Sequence, residues 1–117
     1  MAAAMTRAYL TALKQHIKAD DLHWFYTSAP WLNVRAEALK IQHYECQRCK
    51  ELYNKIEPAT IVHHIHRVRN YPQYALSIYV DGKINLIAVC DNCHWEIHHS
   101  GKSINQSKIS KKFPERW

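Results

Sequence analysis

No stretch of the chain approaches the roughly 18 apolar residues that a membrane-spanning helix requires, so a spanning segment is not expected. The opening Met1-Ala2-Ala3-Ala4-Met5-Thr6 begins like an export signal, but Arg7, Lys14 and His16 break any apolar core that could follow. With neither feature, the expected compartment is a reducing cytoplasm. Acidic side chains are few, 10 against 16 lysines and arginines, and the net charge of +6 favours a polyanionic partner without specifying one. Glycine is scarcer still. The two glycines, Gly82 and Gly101, fall where a tight turn and a helix stop are wanted. At 117 residues no second folded unit is expected, and a metal would add materially to the stability of so small a core.

The four cysteines leave none unpaired: Cys46/Cys49 and Cys90/Cys93 form two Cys-x-x-Cys knuckles separated by about 40 residues. Two residues between cysteines let both sulfurs converge on one ion, and two such turns supply the four thiolates of tetrahedral zinc. Two disulfides are disfavoured by a reducing compartment, and nothing around the cysteines specifically supports an iron–sulfur cluster or a redox pair. A closed thiolate site has no position for substrate, so its expected role is structural.

Along the chain, Tyr9, Leu10, Leu13 and Ile17 share one side of a helix running from about Ala3 to Lys18, either packed on the domain or an arm that orders with a partner. Thr27-Ser28-Ala29-Pro30 can start the next helix, in which Trp31, Val34, Ala38 and Ile41 form an apolar stripe to about His43. Glu51 to Pro58 reads as a loop or short helix. The β-branched run Thr60-Ile61-Val62 predicts a strand delivering His63 and His64 at its end. Asp81-Gly82 predicts a tight turn between Ile78-Tyr79-Val80 and a strand over Ile84 to Val89. Asp91 or Asn92 can cap a helix from about Cys93 to His99, with Gly101 to stop it. The remainder, Lys102 to Trp117, is polar and basic without periodicity, either a frayed tail or a surface-wrapping segment.

Histidine is concentrated at both ends of this central segment. A helix puts His94 and His98, four residues apart, on one face. Neighbouring residues of a strand point to opposite sides, so His63 and His64 are not equivalent: one is expected to ligate an ion and the other to face substrate. One strand-borne imidazole plus two from a helix make three convergent ligands with positions left for water and a phosphate, the arrangement of an open, reactive metal site.

His63-His64-Ile65, Asn85-Leu86 and Cys93-His94 with His98 resemble the HNH endonucleases. Phe25-Tyr26, Trp31, Arg35, Leu39 and the two knuckles further resemble small phage-type members carrying a structural zinc. The resemblance spans about Trp24 to His99. It implies an α+β fold with a ββα-metal (HNH) core, a four-cysteine zinc site and additional N-terminal helices. The expected organisation is a helical extension over 1–22, the nuclease domain over 23–101 and a basic tail over 102–117. The implied reaction is metal-dependent hydrolysis of DNA phosphodiester bonds, by nicking or double-strand cleavage, leaving 3′-hydroxyl and 5′-phosphate ends.

By that resemblance His64 is the general base and Asn85 the residue holding the loop that orients it. His63 fills the ligand place that many members give to Asp, His94 is a further ligand, and His98 matches the extra helical ligand of the histidine-rich branch typified by the bacterial colicin nucleases. His99 could replace His98 only if the helix ended early. The implied cofactors are a structural Zn²⁺ on Cys46, Cys49, Cys90 and Cys93 and a catalytic divalent ion, Mg²⁺, Mn²⁺, Ni²⁺, Co²⁺ or Zn²⁺. The implied partners are double-stranded DNA and phage packaging or mobile-element proteins, in a bacterial or phage-infected cell, with the oligomeric state open.

Arg67 and Arg69 beyond the histidine doublet, Lys83 beside the predicted turn and Arg35 beside Trp31 are candidate DNA contacts, though a solvated basic loop or a covered helix face would look the same; His66 is a weaker candidate. Trp24, Trp31 and Trp95 are expected in the core, His16, His23 and His43 on the surface, and Glu96 away from the metal. The rivals to a nuclease are a non-catalytic zinc-stabilised module that binds nucleic acid and a protein-interaction module. Neither has a use for His63, His64, Asn85 and His94 at these separations.

Overall fold

The computed structural model describes residues 5–100. The predicted helix stop at Gly101 and the basic tail lie outside the described residues. Helix α1 (Arg7–Lys18) starts at Thr6, whose hydroxyl accepts from the Tyr9 N–H at 3.1 Å. It packs on the domain: Leu13 is fully buried, Met5, Tyr9 and Ile17 lie against the same core, and the Tyr9 hydroxyl is 2.7 Å from that of Ser28. A single turn, α2 (His23–Tyr26), then buries Phe25, and α3 (Ala29–Ile41) begins with proline in its first turn. All four residues of the predicted stripe, Trp31, Val34, Ala38 and Ile41, are buried, with Leu39 beside them.

Helix α4 (Gln47–Tyr53) begins inside the first knuckle and runs on through Glu51 to Tyr53, so the first part of the stretch read as a loop or short helix is helical. Cys46 is its N-cap, the sulfur accepting from the Cys49 N–H at 3.3 Å, and Asn54 ends it in the left-handed conformation at φ 51°. Strand β1 (Ile61–His64) pairs antiparallel with β4 (Leu86–Val89) in the register His64 to Leu86 and Ile61 to Val89. Between them, β2 (Tyr79–Val80) and β3 (Lys83–Ile84) form a small hairpin. Its turn puts Asp81 at φ 53° and Gly82 at φ 76°, the two positive φ angles of a twisted two-residue hairpin turn. A Cβ on Gly82 would meet no atom within 4 Å, so backbone conformation and not crowding calls for glycine there. Helix α5 (Asp91–Ser100) closes the described chain.

β4 is buried at all four positions because it separates two cores. Leu86 and Ala88 join Leu13, Phe25, Trp31 and Val34, whereas Ile87 and Val89 join Ile84 and the buried cysteines. On the edge of β4 away from β1, the Gln42 side chain stands where a third strand would run. Its Nε2 donates to Leu86 O and its Oε1 accepts from Ala88 N, both at 2.8 Å. Gln42→Leu fits the space but strands a buried carbonyl and a buried N–H, each costing about 1–3 kcal/mol. Urea unfolding of this variant is expected to show a loss of at least that size, with the m-value unchanged.

Trp95 departs from the core expectation. It is 60% exposed and stacks on His99 with ring centroids 4.3 Å apart. The reason is helical phase: Cys93 and His94 face the two metal-ligand clusters, and the next residue must point out. Among the described residues no helix is long and apolar enough to cross a membrane.

Candidate functional site

The four sulfurs of Cys46, Cys49, Cys90 and Cys93 lie within 4.8 Å of one another, the first pair presented by the start of α4 and the second by the start of α5. Cys49 Sγ is 3.7 Å from Cys90 Sγ and 3.5 Å from Cys93 Sγ. A disulfide needs about 2.0 Å. Four sulfurs bound tetrahedrally at about 2.3 Å would be about 3.8 Å apart, close to what is seen. The charges also fit. Buried Arg48 lies beside the Cys93 sulfur, whose negative charge favours the guanidinium, and pairs with Glu96, which takes a second bond from the Tyr53 hydroxyl at 3.1 Å. Burial opposes the Arg48 charge, but the Cys93 and Glu96 contacts outweigh it and hold its pKa above the usual arginine value. A guanidinium fixed there suits four thiolates around one divalent ion, a centre with excess negative charge. The cluster therefore fits a structural zinc site, and Glu96 belongs to its surroundings, not to the histidines.

The second cluster joins β1 to α5. Nitrogens of His63, His94 and His98 also lie within 4.8 Å of one another, with His94 Nε2 and His98 Nε2 at 3.1 Å. Two nitrogens at about 2.1 Å from one ion would be separated by about 3.0–3.4 Å, so this pair has chelating geometry. Burial, followed by the neighbouring His94 and His98 and then His64 and Arg67, pushes the His63 pKa down to about 4. His94 is lowered by burial and by His98. All three imidazoles can hold one divalent cation, and none has a carboxylate in the cluster to compete with.

The strand alternation separates the doublet as its period requires. His63 turns to His94 and His98, whereas His64, 6% exposed, turns with Val62 toward the main core and stacks on Trp31 at 4.7 Å. His64 Nε2 is 2.9 Å from Ala75 O. A carbonyl only accepts, so Nε2 carries the proton and Nδ1 keeps its lone pair. Burial lowers its pKa to about 4, although the Ala75 bond works the other way.

Asn85, fully buried between β3 and β4, holds the loop that carries Ala75. Its Nδ2 donates to Tyr74 O at 3.1 Å and to Ser77 O at 3.0 Å, and its Oδ1 accepts from His66 N at 2.9 Å.

His63, His64, His94 and His98 share the wall of one cleft of about 550 Å³ with Arg35, Arg67 and Arg69. Arg35 Nη2 donates to Thr60 O at 2.8 Å, and Arg69 Nη2 pairs with Asp20 Oδ1 at 2.5 Å. Arg67 is exposed at the rim, near enough to depress the His63 pKa. Lys83 is exposed on the β2–β3 hairpin and is not among the residues lining this cleft. Two contributors had no sequence signal. The Ala75 carbonyl is a backbone group that any residue supplies, and Leu22 and Val68, which join Tyr26 in the cleft wall, converge from separate parts of the chain.

Two antiparallel strands followed by a helix, with a histidine cluster between strand and helix, define the ββα-metal architecture, here α+β with a four-cysteine cluster and extra N-terminal helices. A solved structure of this kind is similar to it: the HNH endonuclease of the deep-sea thermophilic bacteriophage GVE2, with manganese ion. The two share 28% identity at a TM-score of 0.60, over 83% of this chain and 95% of that one. No family model matches the chain, and no curated protein does. The resemblance to the HNH endonucleases, in the small phage-type form with a four-cysteine cluster, is thus carried by structure as well as by sequence.

Proposed function

We propose that this protein is a metal-dependent endonuclease that hydrolyses DNA phosphodiester bonds, with His64 as general base and a divalent ion held by His63, His94 and His98. The observation that carries the reading is one cleft holding three convergent imidazoles, a separate buried imidazole with a fixed proton, and three arginines. His63, His94 and His98 would hold this cation, which when bound would supply neutralisation of the negative charge that develops on the phosphate and the departing 3′ oxygen. The likeness to a phage HNH endonuclease with manganese supports this assignment, and supports DNA as substrate.

The remaining chemistry falls to the chain itself. Because Ala75 O accepts a hydrogen bond from Nε2–H, His64 presents Nδ1 as its free lone pair, able to draw a proton from water. Burial keeps the ring neutral before the reaction. As it accepts the proton, the stacked Trp31 face and the incoming phosphate favour the imidazolium. Asn85 keeps the Ala75 carbonyl in place, and Arg67 meets the phosphate backbone together with Arg35 and Arg69 of the same cleft. Hydrolysis in this sense leaves 3′-hydroxyl and 5′-phosphate ends.

The test is conversion of supercoiled plasmid by the zinc-loaded protein with Mg²⁺, Mn²⁺ or Ni²⁺, and with EDTA, beside His94→Ala. One site per chain cuts one strand per encounter, so nicked circles are expected before linear DNA. No conversion with any of these ions would sink the nuclease reading and leave a zinc-stabilised nucleic-acid-binding module. Arg67→Ala is expected to weaken DNA binding uniformly across sequences and to lower the slope of log K against log salt by about one, read by fluorescence anisotropy from low to moderate salt.

A further inference from the structure

We infer that His66 is a positioning residue, one that fixes the His64 imidazole through Asn85 and the loop between them; the inference rests on the reading of His64 as general base. His66 Nδ1 lies 3.0 Å from Asn85 Oδ1, the atom that already accepts from the His66 backbone N–H at 2.9 Å. An amide oxygen has two lone pairs and only accepts, so both are filled by one residue, and His66 Nδ1 must carry a proton. The other end of the amide is equally full, its two N–H groups directed at Tyr74 O and Ser77 O. Those carbonyls bracket Ala75, whose own carbonyl orients His64 Nε2 at 2.9 Å.

The His66 ring is itself held. Tyr71 and Tyr74 meet it edge to face, with centroids at 5.1 Å and 5.5 Å, and the two tyrosines stack on each other at 6.0 Å. Tyr74 therefore touches the relay twice, by its ring against His66 and by its carbonyl against Asn85. With the imidazole gone, Oδ1 keeps one bond and the amide plane gains freedom to turn, taking the 74–77 carbonyls with it. His64 would then lose the acceptor that selects its tautomer. A contact to DNA could use only Nε2, because Nδ1 is already engaged inside the protein, and it would not account for the filled Asn85 oxygen.

Nitrogen-15 NMR of the zinc-loaded full chain, with no added second metal, reads the side-chain tautomers directly. In the wild type, neutral His66 is expected as the Nδ1–H form and His64 as the Nε2–H form. An unprotonated Nδ1 on neutral His66 would overturn the inference without any variant. His66→Leu removes the donor, whereas His66→Asn places an N–H at the same distance from the backbone. His66→Leu is expected to let His64 populate both tautomers and to lower kcat on plasmid about tenfold, with KM within twofold. His66→Asn is expected to restore a single His64 tautomer and most of kcat. A rise in KM at constant kcat would assign His66 to substrate contact instead. A single His64 tautomer in folded His66→Leu, or an Asn variant no better than Leu, would also overturn the relay. If the wild type cuts no DNA, the nuclease reading fails, while the tautomer response still decides whether His66 positions His64.

Discussion

Cys93→Ser, or withdrawal of the structural metal by a strong chelator, is expected to unfold the centre of the molecule and not merely to silence it. Apparent binding energies of structural zinc sites are on the order of 10–16 kcal/mol, as large as the whole stability of a small domain. The four sulfurs join the N-termini of α4 and α5, and the fully buried apolar side chains around them are only Ile84, Ile87 and Val89, with the partly buried Ile61, Ile65, Ile78 and Ile97 packed against them. Arg48 makes the outcome sharper. Without an anionic thiolate centre it is a buried guanidinium, 1% exposed, paired with Glu96 and leaving its Nε without a partner. The measurement is circular dichroism and amide NMR during chelation, with zinc released per chain counted by a chromogenic dye. One zinc per chain with cooperative loss of structure is expected. A folded, dispersed spectrum after complete zinc release would refute the structural role. Since β4 belongs to both cores, loss of the cysteine core is expected to spread through Ile87 and Val89 to the packing of α3.

How much of this was readable beforehand depended on the range of the interactions involved. The knuckles were legible because a Cys-x-x-Cys turn is local geometry, and two of them need only one ion to bring them together. The β-branched run before His63 and the Asp81-Gly82 turn were legible for the same reason: strand period and positive φ are properties of adjacent residues. α1 was ambiguous in sequence, since an amphipathic stripe does not say what covers it; the burial of Leu13 against Phe25 and Trp31 answers that.

Long-range polar satisfaction was not legible. Nothing near Gln42 in sequence shows that its amide will complete the edge of β4, and nothing near Arg48 shows that it will sit beside Cys93. Nor could sequence show that Ala75 would supply the acceptor for His64, because the donor and acceptor are 11 residues apart across a loop of no fixed period. Trp95 shows the limit of composition arguments. A large ring is a reasonable core candidate until the helix phase is set by the ligands on either side of it.

His64→Ala is the variant with the largest expected effect on turnover. A general base contributes about 10²–10⁴-fold, and the same loss in kcat is expected here, with plasmid binding within a few-fold of wild type. The separation follows from placement: His64 faces Trp31 and Ala75, whereas His63, His94, His98 and Arg67 hold the other surfaces of the cleft. Stability should fall too, because the ring is buried between Trp31 and the Ala75 carbonyl, so the comparison must be made well below the variant's unfolding temperature. His64→Asn tests the chemistry more cleanly. It is smaller than imidazole but polar, and it has no nitrogen lone pair able to take a proton from water. If His64→Asn binds DNA and metal normally but cuts at the rate of His64→Ala, proton transfer is the lost function. If it keeps wild-type kcat, the base is another group, and His64 serves only as packing between α3 and the loop that Asn85 holds.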